Sequence, residues 1–230
     1  MKKILSTTAI AGSLCLLGTV AFAQFSGPYV GVSGSMAGLA TDGKKVSSDG
    51  RNTVNAKAGV ITPLAALDLG YSIAAGKGTT VGVGATYNPM KAELKANNST
   101  APAGSNTATF SVKDHYTIYI QPTFEITKDA AFFVKGFYSK ADIATSAGTG
   151  TLLSRPNDLE GFGASAGLRV MLTKDAFVQV EAAYTQFDTV SASKAEASST
   201  AGTGGATITR TYTAQDPELV EGRITLGFKF

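Results

Sequence analysis

Apolar and polar residues alternate at a two-residue period along most of the chain from Leu67 onward. The clearest stretch spans residues 116–126, where one parity is apolar and the other is largely polar. Alternation at this period is typical of β-strands whose two faces meet different surroundings. The first strand is the weakest, and its pattern leaves open whether Tyr29 or Val30 faces outward. The pattern predicts eight strands within 27–38, 67–73, 80–87, 116–126, 132–139, 162–172, 178–185 and 220–230.

The connections between these strands alternate between short and long. One short turn falls at Ala75–Gly78, and two others are copies of the sequence Thr-Lys-Asp-Ala, at Thr127–Ala130 and Thr173–Ala176. The remaining connections are rich in Ser, Thr, Gly and Ala, and they run roughly over 39–62, 89–112, 142–160 and 187–217. This arrangement predicts antiparallel hairpins with all short turns at one end and all long loops at the other.

The division of charge between the two parities indicates a membrane barrel. In strands two to eight the apolar parity carries no charge, whereas the polar parity carries four acids and four bases: Asp68, Glu125, Glu181, Glu221, Lys135, Arg169, Arg223 and Lys229. In a transmembrane barrel the apolar parity contacts lipid and the polar parity lines the lumen. Aromatic residues at both ends of the apolar parity are typical of two membrane–water interfaces: Tyr87, Tyr116, Tyr138, Phe162 and Tyr184 at one, Phe124, Phe132, Phe228 and Phe230 at the other.

The predicted fold class is therefore all-β, an eight-stranded antiparallel transmembrane up-and-down barrel. It has three short periplasmic turns and four long polar extracellular loops. A soluble exported β protein, such as a β-sandwich, is the alternative, although a sandwich has no reason to place aromatic residues at both rims of one face.

The N-terminus has the features of a cleavable secretory signal peptide. A basic start, Met1-Lys2-Lys3, precedes a mostly apolar stretch, and Ala21-Phe22-Ala23 fits a small-residue cleavage site before Gln24. An uncleaved membrane anchor is the alternative. The predicted organisation is a signal peptide over residues 1–23 and an outer-membrane β-barrel domain over residues 24–230. Cleavage would remove Cys15, the single cysteine of the sequence.

Composition and motifs argue against several kinds of chemistry. A net charge of +3 with one His and one Cys gives no basis for a nucleic-acid surface, a zinc finger or an iron–sulfur site. Gly163–Gly167 matches the G-x-S-x-G motif around Ser165, but that motif needs a strand-to-helix turn and a later histidine. The sole histidine, His115, comes earlier and is expected at the mouth of the lumen. We predict no cofactor and no catalytic, cofactor-binding or metal-binding residue, and we expect that the chain is not an enzyme.

The chain resembles the small eight-stranded outer-membrane β-barrel proteins of the OmpA/OmpX type, in the outer-membrane β-barrel domain group. The resemblance rests on the signal before Gln24, the opening Gly27–Gly31 and the last strand, Gly222–Phe230. It implies the outer membrane of a Gram-negative-type bacterium, contact with outer-membrane lipid, and recognition by the barrel-assembly machinery through the strand ending in Phe230. We also predict a monomer, and the low net charge predicts no nucleic-acid partner.

The predicted function is that of a non-catalytic surface or structural barrel, since the resemblance is specific for location and architecture and not for activity. Its loops would contact host or phage surfaces, and at most small ions would pass, because side chains fill the interior of an eight-stranded barrel. The alternative function is a lipid-modifying barrel enzyme that would use His115 and Ser165.

Counting outward from the two Thr-Lys-Asp-Ala turns predicts specific contacts in the lumen, because turn geometry sets the pairing register. The count places Arg169 opposite Glu181 and Thr123 opposite Lys135. We therefore expect an Arg169–Glu181 pair with a Lys135–Glu125 pair beside it.

Overall fold

A computed structural model describes residues 24–47, 53–96, 108–147, 151–154, 158–197 and 207–230, so the predicted signal peptide lies outside the described residues. In these segments there is no helix long and apolar enough to cross a membrane. The described segments form eleven β-strands: β1 (Gly27–Ser47), β2 (Thr53–Gly76), β3 (Thr79–Asn88), β4 (Ala92–Ala96), β5 (Ala108–Glu125), β6 (Ala130–Ala147), β7 (Thr151–Ser154), β8 (Asp158–Met171), β9 (Ala176–Phe187), β10 (Val190–Ala197) and β11 (Thr207–Lys229).

Eight of these strands close into an antiparallel barrel in the order β1–β2–β3–β5–β6–β8–β9–β11, and β11 pairs back onto β1. The remaining three strands extend the wall at the end opposite the short turns, where β4 pairs with β5, and β10 pairs with β11 and β7. We call the two ends of the barrel the turn end and the loop end. The predicted eight-stranded up-and-down barrel is confirmed.

Buried and exposed residues alternate along the barrel strands, with polar residues inside and apolar residues outside, as expected for a barrel in lipid. On β2, Asp68 is 3% exposed while its neighbours Leu67 and Leu69 are 51% and 58% exposed on the outer face. On β1, Tyr29 is buried in the lumen, which settles the parity that the sequence left open. The outer face is thus apolar and the inner face polar, the reverse of a soluble barrel.

The two Thr-Lys-Asp-Ala turns share the same hydrogen bonds. The Thr127 hydroxyl oxygen accepts from the N–H groups of Asp129 and Ala130, at 3.3 and 3.0 Å. The Thr173 turn repeats these bonds, at 3.3 and 2.9 Å. A side-chain oxygen that satisfies two turn amides explains why the same short sequence makes both hairpins.

The strands extend further toward the loop end than the alternation predicted. The expected loop 39–62 is mostly hairpin, since β1 continues to Ser47 and β2 begins at Thr53. Beyond the lipid, neither face needs to be apolar, so the hydrophobic alternation stops although backbone pairing continues. The predicted loop boundaries were therefore wrong, and parts of the other loops lie outside the described residues.

Inward-facing aromatic rings lie against glycines that stand directly opposite them on the neighbouring strand. A Cβ added to each of these glycines would collide with the ring. The interior of an eight-stranded barrel is only wide enough for side chains to fill, so a ring that leans across the wall needs a partner without a side chain. The pairs are Tyr29–Gly70, Tyr119–Gly84, Phe133–Gly167, Phe137–Gly163 and Phe177–Gly227.

Two glycines of β11 provide a matched test of this packing. In Gly227→Ala the new methyl group would overlap the Phe177 ring, whereas nothing lies within 4 Å of the Cβ position at lipid-facing Gly222. We expect Gly227→Ala to lower the free energy of unfolding by about 1–3 kcal/mol through overpacking, and Gly222→Ala to leave it nearly unchanged. Urea unfolding in lipid vesicles measures both. Equal effects of the two substitutions would contradict the glycine–aromatic packing.

Candidate functional site: the charged lumen

Five charged side chains of the barrel wall are buried in the lumen. Burying a charge costs several kcal/mol unless it is paired and hydrogen-bonded, so the partners of these groups determine what the lumen can do. Each of the following is at most 6% exposed: Asp68, Lys135, Arg169, Glu181 and Glu221.

The Glu181 carboxylate is the centre of this network. Lys135 Nζ lies 2.9 Å from Glu181 Oε2, and both side chains are 2% exposed. Ser165 Oγ donates a hydrogen bond to Oε1 at 2.6 Å, and Gln179 Nε2 donates to Oε2 at 3.0 Å. The Lys135 ammonium also lies 4.5 Å from the centre of the Tyr119 ring, in cation–π geometry. Both carboxylate oxygens are therefore satisfied.

Arg169 joins the network through an amide and not through a carboxylate. Its Nε and Nη2 donate to Gln179 Oε1 at 3.0 and 2.8 Å. Its guanidinium carbon lies 4.8 Å from the Tyr29 ring centre and 4.5 Å from that of Phe177. Because Gln179 also donates to Glu181, this amide connects the guanidinium to the carboxylate.

The predicted Arg169–Glu181 pair is wrong. The β8–β9 register places Arg169 opposite Gln179 and Gly167 opposite Glu181. Pairing after the turn begins at Met171 and Phe177, which is two residues off the predicted count. A two-residue shift keeps every side chain on its face but changes its partner.

The predicted Lys135–Glu125 pair is wrong for the same reason. The β5–β6 register sets Thr123 opposite Phe133 instead of Lys135. Lys135 pairs with Glu181, while Glu125 Oε1 is buried without a hydrogen-bond partner among the described residues.

Three further charged residues, Arg223, Glu221 and Asp68, have hydrogen-bond partners inside the lumen. Arg223 and Glu221 lie on one strand and form two hydrogen bonds, at 3.1 and 2.8 Å. Asp68 accepts a 2.6 Å hydrogen bond from the Tyr119 hydroxyl, which lies 2.7 Å from the hydroxyl of Tyr29. The network is balanced in charge and does not present an unpaired cation or anion at its centre.

An apolar layer closes the lumen on each side of this network. The turn-end layer contains Phe25, Tyr29, Ala131, Met171 and Phe177. The loop-end layer contains Ala37, Leu39, Ala141, Leu159, Phe187 and Leu219. A polar cavity of about 10 Å³ lies in the network between the two layers, enough for a single water molecule.

The two residues of the alternative enzyme hypothesis are not brought together. Ser165 lies within the continuous strand β8, not at a strand-to-helix turn, and its hydroxyl hydrogen is donated to Glu181. His115 lies at the loop-end layer, with its ring centre 6.3 Å from that of Phe187, and its buried Nε2 has no partner among the described residues. The described part of the chain holds no cluster of three or more potential metal ligands.

One ion cluster lies outside the lipid band, just beyond the aromatic rim formed by Tyr138 and Phe162. Lys140 Nζ is 2.7 Å from Asp158 Oδ2 and 2.8 Å from Glu160 Oε1. Hydrogen bonds to Asp158 and Glu160 raise the pKa of Lys140 above its usual value, and the hydrogen bond from Lys140 lowers the pKa of Glu160. Water screens such surface pairs, so they contribute little stability.

A double-mutant cycle tests the central ion pair. Lys135→Met and Glu181→Gln each leave the other charge buried and unpaired, so each is expected to lower the free energy of unfolding by about 3–5 kcal/mol. The double variant is expected to lose less than the sum, as measured by urea unfolding in vesicles. Lys140→Met, the same substitution at the rim, serves as the control and leaves the midpoint unchanged. Strictly additive losses at Lys135 and Glu181 would contradict a direct pair.

Comparison with known proteins agrees with the barrel. The model of the outer membrane protein beta-barrel domain matches residues 7–204. The fold is similar to that of the outer membrane protein OprG from Pseudomonas aeruginosa, with a TM-score of 0.55 and 12% identity over 89% of this chain and 97% of that chain. No curated protein sequence matches the chain significantly.

Other solved outer-membrane barrels are similar to this chain at lower TM-scores. The outer membrane protease OmpT from Escherichia coli gives a TM-score of 0.46 at 10% identity, over 92% of this chain and 99% of that chain. Neisserial surface protein A gives 0.42 at 16%, over 89% and 98%. Because the family match extends over most of the chain, and eight antiparallel strands close around a polar lumen with an apolar outer face, the protein belongs to the outer membrane protein beta-barrel domain family of the Gram-negative outer membrane.

Proposed function

We propose that this protein is a non-catalytic surface barrel. Its transmembrane part anchors it in the outer membrane, and its loop end faces outside and contacts host, phage or neighbouring surfaces. The observation that carries the proposal is the filled lumen, in which a charge-balanced network is enclosed between two apolar layers. At most small ions would pass.

The packing of the lumen argues against diffusion of nutrients. A solute would have to displace the Phe187 and Leu219 layer, then separate Lys135 from Glu181, and then displace Phe177 at the turn end. Separating the ion pair would leave two buried charges without partners, which is strongly unfavourable. The barrel is therefore not suited to the uptake of nutrients by diffusion.

The sealed network also supports a non-catalytic role. A catalytic hydroxyl needs a free base and access for substrate. Ser165 is 7% exposed, and its carboxylate partner already holds Lys135 in an ion pair. The only G-x-S-x-G motif of the sequence is thereby assigned to packing of the barrel interior.

The loop-end extensions provide the surface for recognition. Pairs of hydroxyl side chains face each other across β10 and β11, with Ser191–Thr213 and Ser193–Thr211 oxygens each 3.0 Å apart. Strands β1 and β2 stay paired to Val46 and Thr53, well past the lipid band. Paired strands rich in hydroxyl groups suit hydrogen bonding to a polar surface, because strand pairing already orders the backbone before binding.

Insertion into the membrane is part of the same proposal. We propose that the barrel-assembly machinery recognises the last strand, whose terminal Phe230 is 77% exposed on the outer face. The Phe230 N–H donates to Pro28 O at 2.9 Å, so the same strand end also closes the barrel. We expect a monomer in contact with outer-membrane lipid, with no nucleic-acid partner and no cofactor.

Thiol labelling of intact cells tests the orientation. The exposed residues Lys44 and Lys128 lie at the loop end and the turn end respectively. Lys44→Cys is expected to react with a membrane-impermeant maleimide on intact cells, and Lys128→Cys only after the outer membrane is permeabilised. The unsubstituted protein is the background control, because signal cleavage would remove Cys15. The opposite labelling pattern would show that the barrel is inverted.

Shortening the β1–β2 hairpin tests the surface role. Thr41 and Ala58 are directly paired, so replacing residues 42–57 by an Asn-Gly turn keeps the register. The shortened protein is expected to show the heat-dependent gel shift of a folded barrel but to lose attachment to epithelial cells or phage adsorption. Cells producing Gly222→Ala serve as the control. Unchanged attachment and adsorption would refute the role proposed for this hairpin.

A further inference from the structure

The residue that follows the predicted cleavage site is held in place at the turn end of the barrel. The carbonyl oxygen of Gln24 accepts a hydrogen bond from Lys229 Nζ at 2.8 Å, and its side-chain Nε2 lies 3.5 Å from Asp129 Oδ1. The next residue, Phe25, is 2% exposed and belongs to the same apolar layer as Phe177. The start of the predicted mature chain is therefore part of the folded barrel.

Cleavage after Ala23 would convert the peptide nitrogen of Gln24 into a free α-amine. The small residues Ala21 and Ala23 give the cleavage site its predicted position. The side-chain amide carbon of an N-terminal glutamine lies within reach of its own α-nitrogen, and a bond between the two closes an unstrained lactam ring. Because both reacting groups belong to one residue, the reaction has the advantage of proximity.

We propose that Gln24 is a modification site, at which the new α-amine cyclises onto the side-chain amide to give pyroglutamate. The α-nitrogen attacks Cδ and forms the C–N bond of the lactam, while the bond from Cδ to Nε2 breaks. One proton passes from the attacking amine to the departing nitrogen, which leaves as ammonia. The step therefore balances without an oxidant, a reductant or a second substrate.

The charges around Gln24 favour this reaction. Lys229 Nζ is bonded to the Gln24 carbonyl oxygen, so standard bond lengths place it within about 6.5 Å of the α-nitrogen of that residue. A second positive charge this close disfavours the protonated form of an amine, and only the neutral amine can attack. The opposing charge of Asp129 is shared with Lys128, whose Nζ lies 3.6 Å from Asp129 Oδ2.

The product also suits the site better than the free amine does. The lactam nitrogen is neutral, so Lys229 no longer lies beside a second cation. The carbonyl oxygen that Lys229 holds is not consumed in the reaction. Among the described residues, Asp129 is the one carboxylate in contact with Gln24, since the other turn-end acids, Glu125 and Asp175, are not among its partners.

Intact-mass spectrometry of the protein purified from outer membranes tests the proposal. We expect most of the protein to have the mass of residues 24–230 less one ammonia. The matched variant Gln24→Glu carries a carboxylate, which is a far poorer acyl group at neutral pH, and is expected to keep the full mass of its residues 24–230. Retention of the ammonia in most of the original protein would refute the cyclisation, and the mass of residues 1–230 would refute the cleavage on which it depends.

The rate of cyclisation in the folded barrel tests the effect of Lys229. Protein with a free Gln24 can be released from a fusion by a site-specific protease, folded into vesicles, and followed by mass. Lys229→Met is expected to slow cyclisation roughly fivefold near neutral pH and to move the rise of the rate to higher pH, because the neighbouring charge is lost. Lys229→Arg keeps the charge and should keep the rate. Lys77→Met, at an exposed lysine of the β2–β3 turn, is the matched control.

The same measurement in urea separates the effect of the fold from that of the sequence. All variants are expected to react at one rate once the barrel is unfolded, since Lys229 then no longer lies beside Gln24. Equal rates of Lys229→Met and the original protein in vesicles, or a difference that persists in urea, would refute the effect of Lys229. If Lys229→Met does not fold, Lys229→Gln is the second neutral variant. The attachment and labelling results of the proposed surface function do not depend on this modification, so the two ideas fail separately.

Discussion

The narrow interior of an eight-stranded barrel is the constraint on which the other features of this protein depend. The wall encloses a space about as wide as the side chains that fill it, so each inward residue must match its cross-strand partner in size. Glycines opposite Tyr119, Phe133 and Phe177 show this match most directly. A methyl group at any of these glycines would enter the ring that leans over it.

The same narrowness determines the electrostatics. Because there is little room for water around Glu181, the protein must supply hydrogen bonds to both carboxylate oxygens, and Lys135, Ser165 and Gln179 do so. Gln179 has a second role, since its amide oxygen accepts from Arg169. A polar layer satisfied in this way holds the strands together from inside and blocks the lumen.

The lumen is thus divided along its axis into three layers of side chains. The Phe25–Phe177 layer closes the turn end, and the charged network closes the middle. At the loop end, the layer around Leu159 and Leu219 closes the lumen incompletely and leaves an apolar cavity above His115. Three layers of side chains therefore lie in series between the two ends of the barrel.

The sequence by itself determined the presence of the eight barrel strands, the lipid-facing side of strands two to eight, and the membrane location. Lipid requires one apolar face along each strand, and this requirement appears directly as alternation, with Asp68, Lys135 and Glu181 on the opposite parity. The alternation also runs unbroken through G-x-S-x-G, and the structure places Ser165 within a strand and not at a strand-to-helix turn. The polar extensions of β1 and β2 do not contact lipid, so hydrophobic alternation stops there and the sequence did not predict these parts of the strands.

Only the tertiary structure decided which residues meet. A shift of two residues at a turn keeps all faces intact, so periodicity could not distinguish Arg169 opposite Gln179 from Arg169 opposite Glu181. The direction of Tyr29 was likewise open, since both Tyr29 and Val30 suit an interface, until packing of its ring over Gly70 placed it inside. The cavity at His115 arises from side chains of several strands that are distant in sequence, and such proximity is created by barrel closure alone.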